Sequence, residues 1–252
     1  GLVAAHGTFP ADGALGLAPK SKILPIRYKA GRGDGNPDEV ATAIDWALSR
    51  GADVISISSG SSPSSRLQAA CRSAIDAGVI IVASAGNSPP DYTIGFPAAI
   101  DGVVAVGASD RSGNRADFSL TDKHIDIVAP GTDILSTSTD RGYLRSSGTS
   151  NSTAIVAGAA ALVRSRFPEL SAPEVVHRLT ATAVDKGAPG RDGRPPLQVT
   201  RATSEIGNNP NPTPPPSGAT EWSWAAAATA SGGIRSRTSR QPTARTEVAV
   251  AI

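Results

Sequence analysis

Three short runs, Val54 to Ser58 (VISIS), Val79 to Ala83 (VIIVA) and Val103 to Gly107 (VVAVG), are almost wholly apolar and are separated by stretches with helical spacing. A strand with one face in water alternates apolar and polar residues. Runs that are apolar at nearly every position predict strands covered on both faces, as in a parallel sheet flanked by helices. Ile23 to Tyr28 (ILPIRY) reads as a further strand. Between these runs, Asn36-Pro37-Asp38-Glu39 is a helix start, with Asn36 as cap, Pro37 in the first turn and Glu39 closing a capping box. Val40, Ile44, Ala47 and Leu48 then share one helical face, and Gly51 ends it. Leu67, Cys71, Ala74 and Ile75 mark a second helix, ended by Gly78. Ser150 to Phe167 and Ala172 to Ala183 read as two more. Strand-helix-strand repetition predicts a doubly wound α/β domain with a parallel sheet.

The pattern stops near Lys186. GAPGRDGRPP and NNPNPTPPPSG follow, then Ala-, Ser- and Arg-rich sequence. Such composition buries too little apolar surface to offset its ordering entropy, so residues 186–252 are expected to be a largely disordered low-complexity tail, and 1–185 the folded domain. The tail's apolar patch, EWSWAAAATA at 221–230, is too short to cross a bilayer. The net charge of +2 gives no argument for nucleic acid or an anionic membrane as partner. A single cysteine, Cys71, rules out an internal disulfide and a cysteine-built metal site, and His6, His124 and His177 show no ligand spacing; no metal or cofactor is expected. No signal peptide is legible. The chain has no methionine, which leads us to expect sequence upstream of Gly1.

SSGTSNSTAIVAGAAALV at 146–163 carries the most chemical information. A polar, glycine-containing turn enters a small-residue helix at Ser150. A serine there presents its hydroxyl to solvent, and its backbone N–H has no partner within the helix and can face a developing anion. Thr149 or Ser150 acting only as an N-cap is the plainer alternative. Asn87, in VASAGN, lies just past a predicted strand, where α/β sheets gather ligands and a side-chain amide can stabilise an oxyanion. Ile57-Ser58-Ser59-Gly60 also follows a strand, and Phe96-Pro97-Ala98-Ala99 and Ala129-Pro130-Gly131 complete the set.

In this order and at these intervals the chain resembles the subtilisin-like serine peptidases, the subtilases. GTSNS is similar to their nucleophile motif, which implies Ser150 as nucleophile. SAGN resembles the oxyanion motif and implies Asn87 as donor; SISSG resembles the substrate strand, implying substrate contacts at Ser58, Ser59 and Gly60, with Ala85 and Gly86 leaving room for the substrate side chain. GLAPKSKILPIR and FPAAIDGVVAVGA match family segments that carry no chemistry. SAPEVVHRLTATA at 171–183 resembles the mycosin branch, which implies type VII secretion components as partners and an extracellular or cell-surface location. The chain departs from the pattern where Ala154 stands four residues after the nucleophile in place of proline, and at GRDGRPPLQV, where the family's closing segment is expected.

The family implies a histidine base oriented by an aspartate. His6-Gly7-Thr8 has the wording of the base motif, but Pro10, four residues on, would break the helix that the motif opens, at a cost of about 3 kcal/mol. We therefore read Gly1 to Ala5 as the end of that helix and His6 as a residue beyond it. No segment with the family's Asp motif is present. His124 and His177 read as solvated surface residues. The resemblance thus implies a subtilase fold lacking its N-terminal part, carrying the nucleophile and oxyanion donor of a serine endopeptidase that cleaves protein or peptide substrates, and without turnover by itself. A central strand and a helix are expected to be missing, leaving apolar sheet faces uncovered and the chain poorly soluble. Two other classes remain: a peptide-binding pseudopeptidase, and a nucleotide-binding doubly wound domain, against which stands the lack of any phosphate-binding glycine loop after a strand.

Overall fold

The computed structural model describes residues 1–6, 14–28, 36–140, 142–185, 197–198 and 247–251. In chain order these form β1 (Lys22–Ile26), α1 (Pro37–Ser49), β2 (Val54–Ile57), α2 (Ser65–Asp76), β3 (Ile80–Ser84), β4 (Val104–Ser109), β5 (Ile125–Pro130), β6 (Ile134–Thr137), β7 (Tyr143–Ser146), α3 (Thr149–Arg166), α4 (Ala172–Ala181), β8 (Val184–Asp185), β9 (Leu197–Gln198) and β10 (Glu247–Ala251).

Eight strands make one sheet in the order β1-β10-β2-β3-β4-β5-β9-β8. Every pairing in it is parallel except β8 with β9. Helices cover both faces, which is why β2, β3 and β4 are buried at every position and apolar at all but one each. Along β2, Val54 belongs to the core shared with α3 and α4, whereas Ile55 and Ile57 belong to the core shared with α1 and α2. β3 divides the same way, Ile80 and Val82 facing one side and Ile81 and Ala83 the other. The fold is mixed α/β, with a parallel sheet covered on both faces.

Local signals set the helix ends. Asn36 caps α1 by accepting a hydrogen bond from the Asp38 N–H at 2.9 Å, one residue earlier than the capping box expected through Glu39. The reciprocal geometry instead marks α4, where the Ser171 N–H and hydroxyl both donate to the Glu174 carboxylate, at 2.7 and 2.6 Å. α3 is buried on most sides. Its small residues permit that approach: a Cβ on Gly158 would stand 3.0 Å from Leu17 Cβ. Arg164, near its end, donates to the carbonyls of Asp53 and Gly78 and so ties α3 to the starts of β2 and β3.

Most of the expected tail lies outside the described residues, as do Pro10 and the EWSW patch. The described parts of 186–252, β9 and β10, both belong to the main sheet. β10 pairs with β1 through Lys22↔Glu247 to Ile26↔Ala251 and with β2 through Val248↔Val54 to Ala251↔Ile57. The crossover from β1 through α1 to β2 leaves one strand position between them, and β10 fills it. The β6–β7 ribbon was not legible in the sequence; half-exposed and short, it has neither an apolar run nor a strong turn signal.

Candidate active site

The site forms where parallel strands end and α3 begins. Pairing of β2 with β3 stops at Ile57↔Ala83, and residues 58–60 run on past the sheet edge. Ser61 and Phe96 exchange backbone hydrogen bonds at 2.8 and 3.1 Å, which anchors the far end of that segment. Residues 84–87 leave β3 beside it. Gly86 turns the chain with φ +108°, and a Cβ there would meet Asp91 Oδ2 at 2.9 Å and Leu120 Cδ1 at 3.0 Å, so glycine is required on both counts.

α3 is held in register by close backbone approach. Gly148 N–H donates to the Gly131 carbonyl at 2.8 Å, and a Cβ on Gly131 would lie 2.5 Å from Ser152 Oγ. The Ser152 hydroxyl donates to the Ala129 carbonyl at 2.8 Å, inside the core. The role of Ala129-Pro130-Gly131 is thus to seat the helix start against β5.

Gly148, not Thr149 or Ser150, is the N-cap, and no side chain caps the helix. This removes the plainer reading of those two hydroxyls. The Thr149 N–H and hydroxyl both donate to Asn87 Oδ1, at 2.9 and 3.1 Å. Because a backbone N–H only donates, this contact fixes which end of the Asn87 amide is oxygen. Its Nδ2 is left without a hydrogen bond among the described residues, 3.7 Å from where a Gly148 Cβ would stand. Ser150, second in the helix, has a backbone N–H with no carbonyl to serve within the helix. Its hydroxyl donates to the Ser58 carbonyl at 3.1 Å, and the Ser58 hydroxyl donates back to the Ser150 carbonyl at 3.2 Å. Ser59 Oγ is hydrogen-bonded to the Tyr28 hydroxyl.

A cleft of about 480 Å³ connects these groups; Ser58, Ser59, Gly60, Ala85, Gly86, Asn87 and Ser150 all line it. The structure therefore brings together every site residue singled out in the sequence. Asp91, which also lines the cleft, carried no sequence signal. Its Oδ2 accepts from the Asn87 N–H at 2.7 Å.

The histidines stand apart. His6 is exposed and bridges to Leu15. His124 Nδ1 lies 2.6 Å from Asp122 Oδ1. Burial pushes the Asp122 carboxyl up, but hydrogen bonds from the His124 N–H and ring, with the charges of His124 and Lys123, outweigh it and hold the group below its ordinary value. His177 is on α4. Among the described residues no histidine is hydrogen-bonded to Ser150, and no three His, Cys, Asp or Glu side chains stand together as metal ligands. No described helix is long and apolar enough to cross a membrane.

A family model described as the subtilase family matches residues 1–208. Subtilisin DY of Bacillus licheniformis is 41% identical over 179 residues, which is 69% of this chain and 65% of that protein. The chain thus spans less than two thirds of that relative's length, and about half of the thermostable alkaline protease of Halalkalibacterium halodurans. Among solved structures, the patellamide maturation protease PatA matches with a TM-score of 0.70 at 30% identity, covering 82% of each chain. MycP1 with its N-terminal propeptide removed matches with a TM-score of 0.64 at 26% identity, covering 80% of this chain and 76% of that one.

Proposed function

Because this chain belongs to the subtilase family, we propose that it carries the acylating half of a serine endopeptidase site, with Ser150 as nucleophile. One observation supports this above others: Asn87 Oδ1 is committed to Thr149, which leaves the Asn87 Nδ2–H beside the unpaired N–H of Ser150. Two donors so arranged can hold the oxygen of a tetrahedral intermediate. Ser150 Oγ attacks the scissile carbonyl and its proton passes to an imidazole. The oxyanion is held by Asn87 and the Ser150 N–H. Collapse breaks the C–N bond, the imidazole protonates the leaving amine, and water hydrolyses the acyl-serine. Extended substrate lies along Ser58–Gly60 as an added strand, with the side chain preceding the cleaved bond entering past Ala85 and Gly86.

The imidazole and its orienting carboxylate are supplied, in this reading, by residues other than those of this chain. Ser150 Oγ donating to the Ser58 carbonyl, in place of an imidazole, supports it. The same contact favours peptide binding without turnover for the chain taken alone. The finer assignment is to the mycosin branch, acting on protein substrates at or outside the cell surface alongside type VII secretion components; the wording of residues 171–183 and the likeness to MycP1 support it.

A fluorophosphonate probe tests this reading, since it labels only an activated serine. The chain as it stands is expected to remain unlabelled. The same chain extended by a subtilase segment bearing a His-Gly-Thr base and its aspartate is expected to label at Ser150, and Ser150→Ala to abolish the signal. Labelling of the unextended chain would restore His6 as base. A folded, extended protein that stays unlabelled would remove Ser150 as nucleophile.

A further inference from the structure

We infer that Asp91 selects a cationic side chain, lysine or arginine, for the substrate residue that precedes the cleaved bond; this rests on the reading of the cleft given above. The cleft beside Ser150 is walled by backbone, glycines and hydroxyls, and among the described residues Asp91 is the one ionisable group lining it. Among the described residues no Lys, Arg or His lines the cleft to neutralise that charge. A cationic side chain entering past Ala85 and Gly86 therefore meets an uncompensated carboxylate.

The carboxylate is held rather than free. Asp91 N–H donates to the Asn87 carbonyl at 2.9 Å, and Asn87 N–H donates to Asp91 Oδ2 at 2.7 Å, so backbone and side chain are both pinned to the residue bearing the proposed oxyanion donor. Gly86, at φ +108°, lets this contact form: a Cβ at that position would lie 2.9 Å from Asp91 Oδ2. One carboxylate oxygen is thus occupied and Oδ1 remains to accept from a ligand. A charged acceptor fixed in advance gives stronger, more directional hydrogen bonds than a mobile one. An apolar side chain in the same place would strip water from that exposed carboxylate and from the exposed Thr93 hydroxyl with nothing returned. A hydrogen bond to a charged, fixed acceptor corresponds to discrimination of about tenfold or more.

Binding, rather than turnover, tests the proposal. Fluorescein-labelled hexapeptides identical except for a C-terminal Lys, Arg, Leu or Glu are titrated against the full chain by fluorescence anisotropy, at low salt and at 1 M NaCl. The Lys and Arg peptides are expected to bind at least about tenfold more tightly than the Leu peptide at low salt, with the preference reduced at high salt. Asp91→Asn is expected to remove the preference, bringing the Lys and Arg peptides to within about twofold of the Leu peptide, and Asp91→Lys to shift it toward the Glu peptide. Equal affinities in the unmutated chain, or a preference that persists in folded D91N, would overturn the role of Asp91 while leaving the peptide cleft intact. Failure of all four peptides to bind would instead overturn the reading of the cleft itself. The salt dependence of the unmutated chain decides the matter if either variant fails to fold.

Discussion

The side-chain oxygen of Asn87 accepts two hydrogen bonds from Thr149, from the N–H at 2.9 Å and from the hydroxyl at 3.1 Å, across a sequence separation of 62 residues. One amide therefore joins the end of β3 to the start of α3 and keeps its NH₂ group for another partner. Two variants separate these duties in a protein extended to full turnover. Asn87→Ala is expected to lower kcat by roughly 10²–10³, a magnitude carried over from an oxyanion asparagine in another subtilase, with little change in KM because the contact forms mainly in the transition state. Asn87→Asp keeps the acceptor for Thr149 but removes the donor and adds like charge, so it is expected to be at least as damaging while preserving thermal stability better than Ala. Steady-state kinetics with one peptide substrate, and melting curves for both variants, check this.

β10 lies between β1 and β2, and its removal would leave the backbone groups of buried β2 without partners on that side. Each stranded group costs on the order of 1–3 kcal/mol. Deleting residues 247–252, or introducing Val250→Pro, is expected to broaden thermal unfolding and to deprotect the amides of β1 and β2. Hydrogen exchange read by mass spectrometry is the measurement; unchanged protection of Val54 to Ile57 would show that β10 contributes no pairing.

Cys71 is fully buried in α2, and burial, followed by the nearby Asp45 charge, pushes its thiol up to about 12. At pH 8 the thiolate population is then on the order of a thousandfold below that of an ordinary cysteine. Alkylation by N-ethylmaleimide is expected to be negligible in the native chain and complete in urea. Rapid native labelling would mean that α2 does not pack as described.

Glu174 sits in the first turn of α4, where hydrogen bonds from the Ser171 hydroxyl and N–H hold its carboxyl below the ordinary value of 4.5 and outweigh the opposing effect of burial. A carboxylate depressed on folding stabilises the native state above its unfolded pKa, and that contribution is lost as pH falls through the folded value. The stability advantage of the unmutated chain over Glu174→Gln is therefore expected to be constant from pH 7 to about 5 and to shrink below about 4.5. Urea midpoints at stepped pH values measure it.

What was written in the sequence was whatever depends on neighbours along the chain. The near-continuous apolar runs around Val54, Ile80 and Val104, the 3.6-residue stripe of Val40, Ile44 and Ala47, and the Asn36 cap all follow from the order of neighbouring residues and from local backbone hydrogen bonding, so they were legible without a fold. Ser58, Asn87 and Ser150 stood out in the sequence because each follows a strand end or opens a helix. Their contacts did not, since Ser58 and Ser150 are 92 residues apart and meet only when parallel strands end at one edge. Asp91 entered the cleft through a turn whose shape depends on Gly86 and Leu120, residues with no periodic signal. EVAVA at 247–251 depends on the tertiary structure most of all. Alone, so short a run following low-complexity sequence has too little to bury and too much chain entropy to lose. It becomes a strand because β1 and β2, separated by one strand's width, offer it hydrogen bonds on both edges, and that vacancy belongs to the tertiary structure rather than to any stretch of sequence.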